Sequence, residues 1–306
     1  MQLILPSIPN ALENGERFPQ PNWSAIAEWV DTHVRNCSLN QVWTELAREW
    51  LEMLRVSLGD DYTIAESAEF LLVAKDDVRL SNRILESCEH TRLTILKALP
   101  VVARDDGFGK HVVLAFADTN SYYDYISDFY PDEGEFALSG GLFLDRGYGH
   151  FAFCMAYGDD HERTIAHELN HNLLRHLPLP LWLNEGVTQV MEDTAVGSSY
   201  FIVDHEIVRR HRAYWNSETI DAFWSGDSFF SPDDGQELSY HLSQVLFRNL
   251  VSDFSKQIPQ FLNTADYADA GNGALQQLCG VSLGDRVKQF LGHGSWEPGR
   301  TYSDVD

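Results

Sequence analysis

Basic residues are few in this chain: 22 lysines and arginines stand against 46 aspartates and glutamates, for a formal net charge of −24. Such a surface repels the phosphates of nucleic acids and the headgroups of anionic membranes, so neither is an expected partner. Cysteine is also scarce. Cys37, Cys88, Cys154 and Cys279 are scattered, with no C-x-x-C pair. The opening residues 1–6 lack a basic segment and a long apolar run, so no secretory signal is expected. No stretch approaches the length of a membrane span. Reduced thiols and a cytoplasmic location follow as expectations. There is no internal repeat or low-complexity tract. The 306 residues are 44% hydrophobic and 12% aromatic, enough for one large globular domain or two small ones.

Against these absences stands one informative stretch, Thr164-Ile165-Ala166-His167-Glu168-Leu169-Asn170-His171. It contains H-E-x-x-H. On a helix, positions i and i+4 share a face, so two imidazoles can grip one metal ion from one side. Glu168 lies about 100° round from His167, where it can act on a metal-activated water without being a ligand. Helix signals surround the motif. Asp159 and Asp160 are N-cap candidates, and Glu162 puts negative charge in the first turn. Ile165, Ala166, Leu169, Leu173, Leu174 and Leu177 form an apolar stripe. Arg175 and His176 suit a last turn before Pro178.

A catalytic zinc usually takes three protein ligands and keeps a fourth position open. The all-histidine completion needs a Gly and a His where this chain has Leu174 and Leu177, so it fails. The alternative draws an acid from a second helix. After Pro178-Leu179-Pro180 comes Leu181-Trp182-Leu183-Asn184-Glu185-Gly186-Val187. With Asn184 as N-cap, Glu185 falls in a first turn that can face back to the metal.

W-L-N-E-G following H-E-x-x-H resembles the gluzincin branch of zinc metallopeptidases, the thermolysin-like group. The resemblance covers roughly residues 62–291. It implies His167, His171 and Glu185 as ligands of one Zn2+ per chain and Glu168 as general base. It also implies a peptide or protein substrate, hydrolysed by an endopeptidase. The segment 238–247 is similar to a late helix of that family, from which a Tyr or His steadies the oxyanion. Tyr240 is the first candidate for that role and His241 the second. A strand over 149–155 is similar to the edge on which gluzincins lay an extended peptide, but it reads equally well as a plain core strand. Two departures stand out. The exopeptidase G-A-M-E-N element is absent, and Gln189 occupies a place where relatives use an acid to orient a zinc histidine.

The implied fold is α+β and zincin-like: a mixed α/β lobe with a small, mostly antiparallel sheet, a helical lobe, and an active-site cleft between them. The organisation expected is an N-terminal helical extension over 1–61 with helices at 23–34 and 39–58. The metallopeptidase domain follows over 62–291, divided into an α/β lobe (62–158) and a helical lobe (159–291). A flexible tail covers 292–306. Within the α/β lobe, 62–75 reads as a strand pair, 78–99 as a helix, 110–118 as a buried strand, 121–130 as a helix and 136–144 as a strand. His161, His205, His211, Glu192 and Asp193 are read as surface or packing residues. Two other functions stay open at this point: a zinc hydrolase of a non-peptide amide or of one dedicated protein, and a zinc-holding binding module without catalysis.

Overall fold

A computed structural model describes residues 5–13, 17–34, 38–129, 140–157, 161–299 and 301–302. Asp159, Asp160, Cys37, Pro131 and the first part of the 136–144 strand lie outside these residues. Two compact units are present. One takes the chain up to Leu93 together with Asp105–Asn172, and the other takes Thr94–Arg104 and everything from Leu173.

The first unit opens with a short ribbon, β1 (Leu12–Glu13) and β2 (Gln20–Pro21). Helices α1 (Trp23–His33) and α2 (Leu39–Leu58) follow, with bounds close to those read from their apolar spacing. Strands β3 (Tyr62–Glu66) and β4 (Phe70–Lys75) form an antiparallel hairpin, and α3 (Val78–Ala98) leads on to β5 (His111–Phe116). Then come α4 (Thr119–Ile126), β6 (Gly141–Leu144) and β7 (His150–Cys154). Asp118 caps α4 by accepting a hydrogen bond from the Ser121 backbone N–H.

The five strands lie in the order β3-β4-β5-β7-β6. The sheet is evenly mixed, not mostly antiparallel. β4/β5 and β5/β7 are parallel pairs, while β3/β4 and β6/β7 are antiparallel. The cause is connectivity: α3 returns the chain so that β5 enters beside β4 in the same direction, and the passage through α4 and β6 does the same for β7. Strands buried on both faces read as continuous apolar runs, which fits the F-L-L-V-A of β4 and the buried V-V-L-A-F of β5.

The segment expected to be an N-terminal extension is part of this unit's core. Leu46, Trp50 and Leu54 of α2 cluster with Leu71 and Val73 of β4, Val112 and Leu114 of β5, and Ala152 and Cys154 of β7. An amphipathic helix announces its apolar face but not what that face covers, and here it covers one face of the sheet.

The second unit is helical. The metal-motif helix α5 (His161–Leu174) straddles the division. It is followed by α6 (Leu181–Val196), α7 (His205–Tyr214), α8 (Thr219–Ser225) and α9 (Gly235–Phe254). Helices α10 (Ile258–Thr264), α11 (Asn272–Cys279) and α12 (Leu283–Leu291) complete it. Described residues of the 292–306 tail, expected to be flexible, pack against this unit. Trp296 and Tyr302 are 8% and 7% exposed, the Trp224 indole N–H donates to the Trp296 carbonyl, and the Tyr302 hydroxyl donates to Asp221. Two large aromatics offset the Gly- and Pro-rich composition that reads as loop. No helix among the described residues is long and apolar enough to cross a membrane.

Candidate metal centre

Helix α5 presents His167 and His171 one turn apart, with ring centroids 4.7 Å from each other. Helix α6 presents Glu185. It begins at Leu181, directly after Pro180, so Asn184 is an interior residue and not the cap, and Glu185 stands in the second turn. The Pro180 carbonyl accepts from the Leu183 and Asn184 backbone N–H groups, which starts the helix earlier than a side-chain cap would.

One ligand atom from each of His167, His171 and Glu185 lies within 4.8 Å of the others. Two imidazole nitrogens and one carboxylate oxygen make the donor set of an open zinc site, with room for a fourth, exchangeable ligand. This is the gluzincin ligand set. Among the described residues no cysteine belongs to the cluster, and neither do His161, His205, His211, Glu192 or Asp193. Glu168 also stands outside the trio, as a base must. It is buried at 6% exposure, and its side chain lies against β6: a Cβ built on Gly141 would come within 3.3 Å of Glu168 Oε1. No family model and no curated protein matches the chain.

The site draws its rigidity from two sources. On α6, Gly186 of the N-E-G run permits close helix packing: an added Cβ would lie 2.7 Å from the Ser243 carbonyl oxygen on α9 and 3.1 Å from Phe247 Cβ. Gln189 turns its amide to α9, where Nε2 donates to the Tyr240 carbonyl at 2.8 Å. Gln189 thus ties the Glu185 helix to α9. The Trp182 indole N–H donates to the Ala270 carbonyl at 2.9 Å.

On α5, Asn172 follows the second ligand histidine. Its Nδ2 lies 3.0 Å from His111 Nδ1, and His111 Nε2 lies 2.7 Å from Asp105 Oδ1. An amide nitrogen only donates, so His111 accepts at Nδ1 and donates from Nε2 to Asp105. Burial raises the Asp105 pKa, but His111 and Arg92 outweigh it and hold the carboxyl at about 2. This chain was not visible in the sequence, because its members are brought together only by the sheet.

Tyr240 is half-buried on α9, with its ring edge-on to Phe229 at 5.2 Å. His241 has both nitrogens engaged. The Trp215 indole N–H donates to His211 Nδ1, so His211 donates from Nε2 to His241 Nδ1 at 2.8 Å, and His241 Nε2 donates to the Ile202 carbonyl at 3.0 Å. Burial, followed by the neighbouring His241, depresses His211 to a pKa of about 3. His241 therefore anchors the segment that contains Ile202.

The strand expected over 149–155, β7, is the buried interior strand of the two readings, and among the described residues β6 and β3 are the sheet's edges. The Gly140-Gly141 pair was the available sequence signal, since glycine within a strand marks a close approach.

Proposed function

We propose that the protein is a zinc-dependent peptidase that cleaves within peptide or protein chains. The observation that carries this reading is the convergence of His167, His171 and Glu185 to within 4.8 Å, with Glu168 next in sequence to the first ligand. Zinc held by His167, His171 and Glu185 would supply Lewis acidity toward the attacking water and the carbonyl. The chain does the rest. The Glu168 carboxylate takes the proton of the attacking water and delivers it to the leaving amine. The Tyr240 hydroxyl donates to the oxyanion. His241, the second candidate, has both nitrogens hydrogen-bonded. Strand β6, at an edge of the sheet among the described residues, pairs with an extended substrate backbone, as sheet edges do in peptide recognition. Cys88, Cys154 and Cys279 are free thiols, which suits a reducing compartment such as the cytoplasm.

The test is metal analysis combined with Glu168→Gln. One zinc per chain is expected in both proteins, and peptide cleavage in the variant should fall by about 100- to 10,000-fold. A wild type that binds no zinc, or a variant that cleaves at the wild-type rate, rejects the reading.

A further inference from the structure

Gly141 opens the edge strand β6 and pairs with Phe153 of β7. It is absent from the positive-φ glycines, so its backbone is one that any residue can adopt. Space is what demands glycine here. A Cβ at this position would stand 2.4 Å from Thr164 Cγ2, 3.3 Å from Glu168 Cγ and 3.3 Å from Glu168 Oε1. Thr164 and Glu168 are one turn apart on α5, so the bare backbone of β6 lies along the side of the helix that carries the base. Its neighbour Gly140 accepts a hydrogen bond from the Cys154 N–H, which fixes the strand from the β7 side. A strand held in this way is a wall and not a loop that yields.

We propose that Gly141 is a positioning residue for the Glu168 carboxylate. The naked strand backbone bounds the volume in which the Glu168 side chain can stand. It limits how far Cγ and Oε1 can turn toward β6, while the missing side chain leaves just enough room for them. Thr164 makes the same approach one turn earlier and shares the packing but not the chemistry. The inference rests on Glu168 acting as the base.

The two contacts can be separated, because the severe one is with the Thr164 methyl and the moderate one is with Glu168. The test compares the full-length wild type, Gly141→Ala, Thr164→Ser and the Gly141→Ala/Thr164→Ser double variant. The readouts are melting temperature, zinc affinity by chelator competition, and kcat and KM on a peptide that the wild type cleaves. Thr164→Ser should behave as wild type. Gly141→Ala should melt earlier and lose about 100-fold in kcat, the scale of a misplacement of about 1 Å. In the double variant the Thr164 methyl is gone. The melting temperature and zinc affinity should return, while kcat stays about ten-fold or more below wild type at unchanged KM. A purely structural glycine would give back kcat together with stability.

A double variant with wild-type kcat overturns the proposal. So does a crystal structure of that variant in which the Glu168 carboxylate keeps its place, a result independent of activity. Full activity in Glu168→Gln would instead reject the peptidase mechanism itself, so the two failures are distinguishable.

Discussion

Helix α5 brings His167, Glu168 and His171 to the site, and helix α6 brings Glu185 alone. The supports behind them differ in kind. Behind α5 stands a relay of side chains, Asn172 to His111 to Asp105, with Arg92 paired to Asp105 at its end. Behind α6 stands backbone: Gly186 against the Ser243 carbonyl, and Gln189 on the Tyr240 carbonyl. A relay can lose one member and leave the helix folded but loosely aimed. A close helix pair resists any added atom with the whole packing of the unit. Faults behind α5 should therefore appear first in metal affinity and chemistry, and faults behind α6 first in stability.

The largest effect tests whether the two helices are equal partners at the metal. His171→Ala and Glu185→Ala should each abolish stoichiometric zinc binding, measured by metal analysis after dialysis, and cleavage should vanish with it. Retention of a full zinc equivalent in Glu185→Ala would reduce α6 to a bystander. Next is Gly186→Ala. Overpacking costs about 1–3 kcal/mol, and contact with a backbone carbonyl belongs at the upper end, about 3 kcal/mol by denaturant unfolding. An unchanged midpoint would show that α6 can slide on α9.

Acid should strain both units through their buried histidines. His150 donates from Nδ1 to the Tyr148 carbonyl, accepts at Nε2 from the Tyr125 hydroxyl, and is driven by burial down to a pKa of about 4. The unfolded chain takes up this proton below about 6.5, whereas the folded protein refuses it until about 4. The stability it contributes is complete above pH 6.5 and is lost as the pH falls toward 4, on the order of 3 kcal/mol. His211 acts in the same sense in the helical unit, over a range reaching to about 3. Unfolding curves between pH 7 and 4 should show the fall, and His150→Gln should flatten it. A flat profile in the wild type would remove the neutral-histidine reading.

The smallest effect belongs to the relay. His111→Ala should weaken zinc binding by about ten-fold, the lower end for groups that support metal ligands from behind, with a stability loss of about 1–3 kcal/mol. Undiminished zinc affinity would make the relay purely structural.

Much of the site was legible before the fold was. Helical spacing puts His167 and His171 on one face, and Leu174 and Leu177 removed the all-histidine completion. Glu185 was found from its Trp-Leu-Asn context. The periodicity of α2 gave its bounds, Leu39–Leu58. What stayed hidden depends on pairing at a distance. Apolar composition made β7 visible as a strand, but only strand order reveals that β6, and not β7, lies at an edge. Local sequence marked Asn184 as a cap, yet Pro180 already sets the start of α6. Gly141 and Gly186 are single letters whose meaning lies in the Glu168 side chain and in the Ser243 carbonyl.

The strand order also bears on how the sheet can assemble. Its antiparallel pairs, β3/β4 and β6/β7, are hairpins closed by short turns, so each can form from neighbouring residues. Strand β5 lies between them and pairs with β4 on one side and β7 on the other, in parallel, across long connections. Loop-closure entropy must be met before either of those pairings gives anything back. The chain thus carries two quick local ribbons and one central strand that unites them, and β5 is where the folding search is slow.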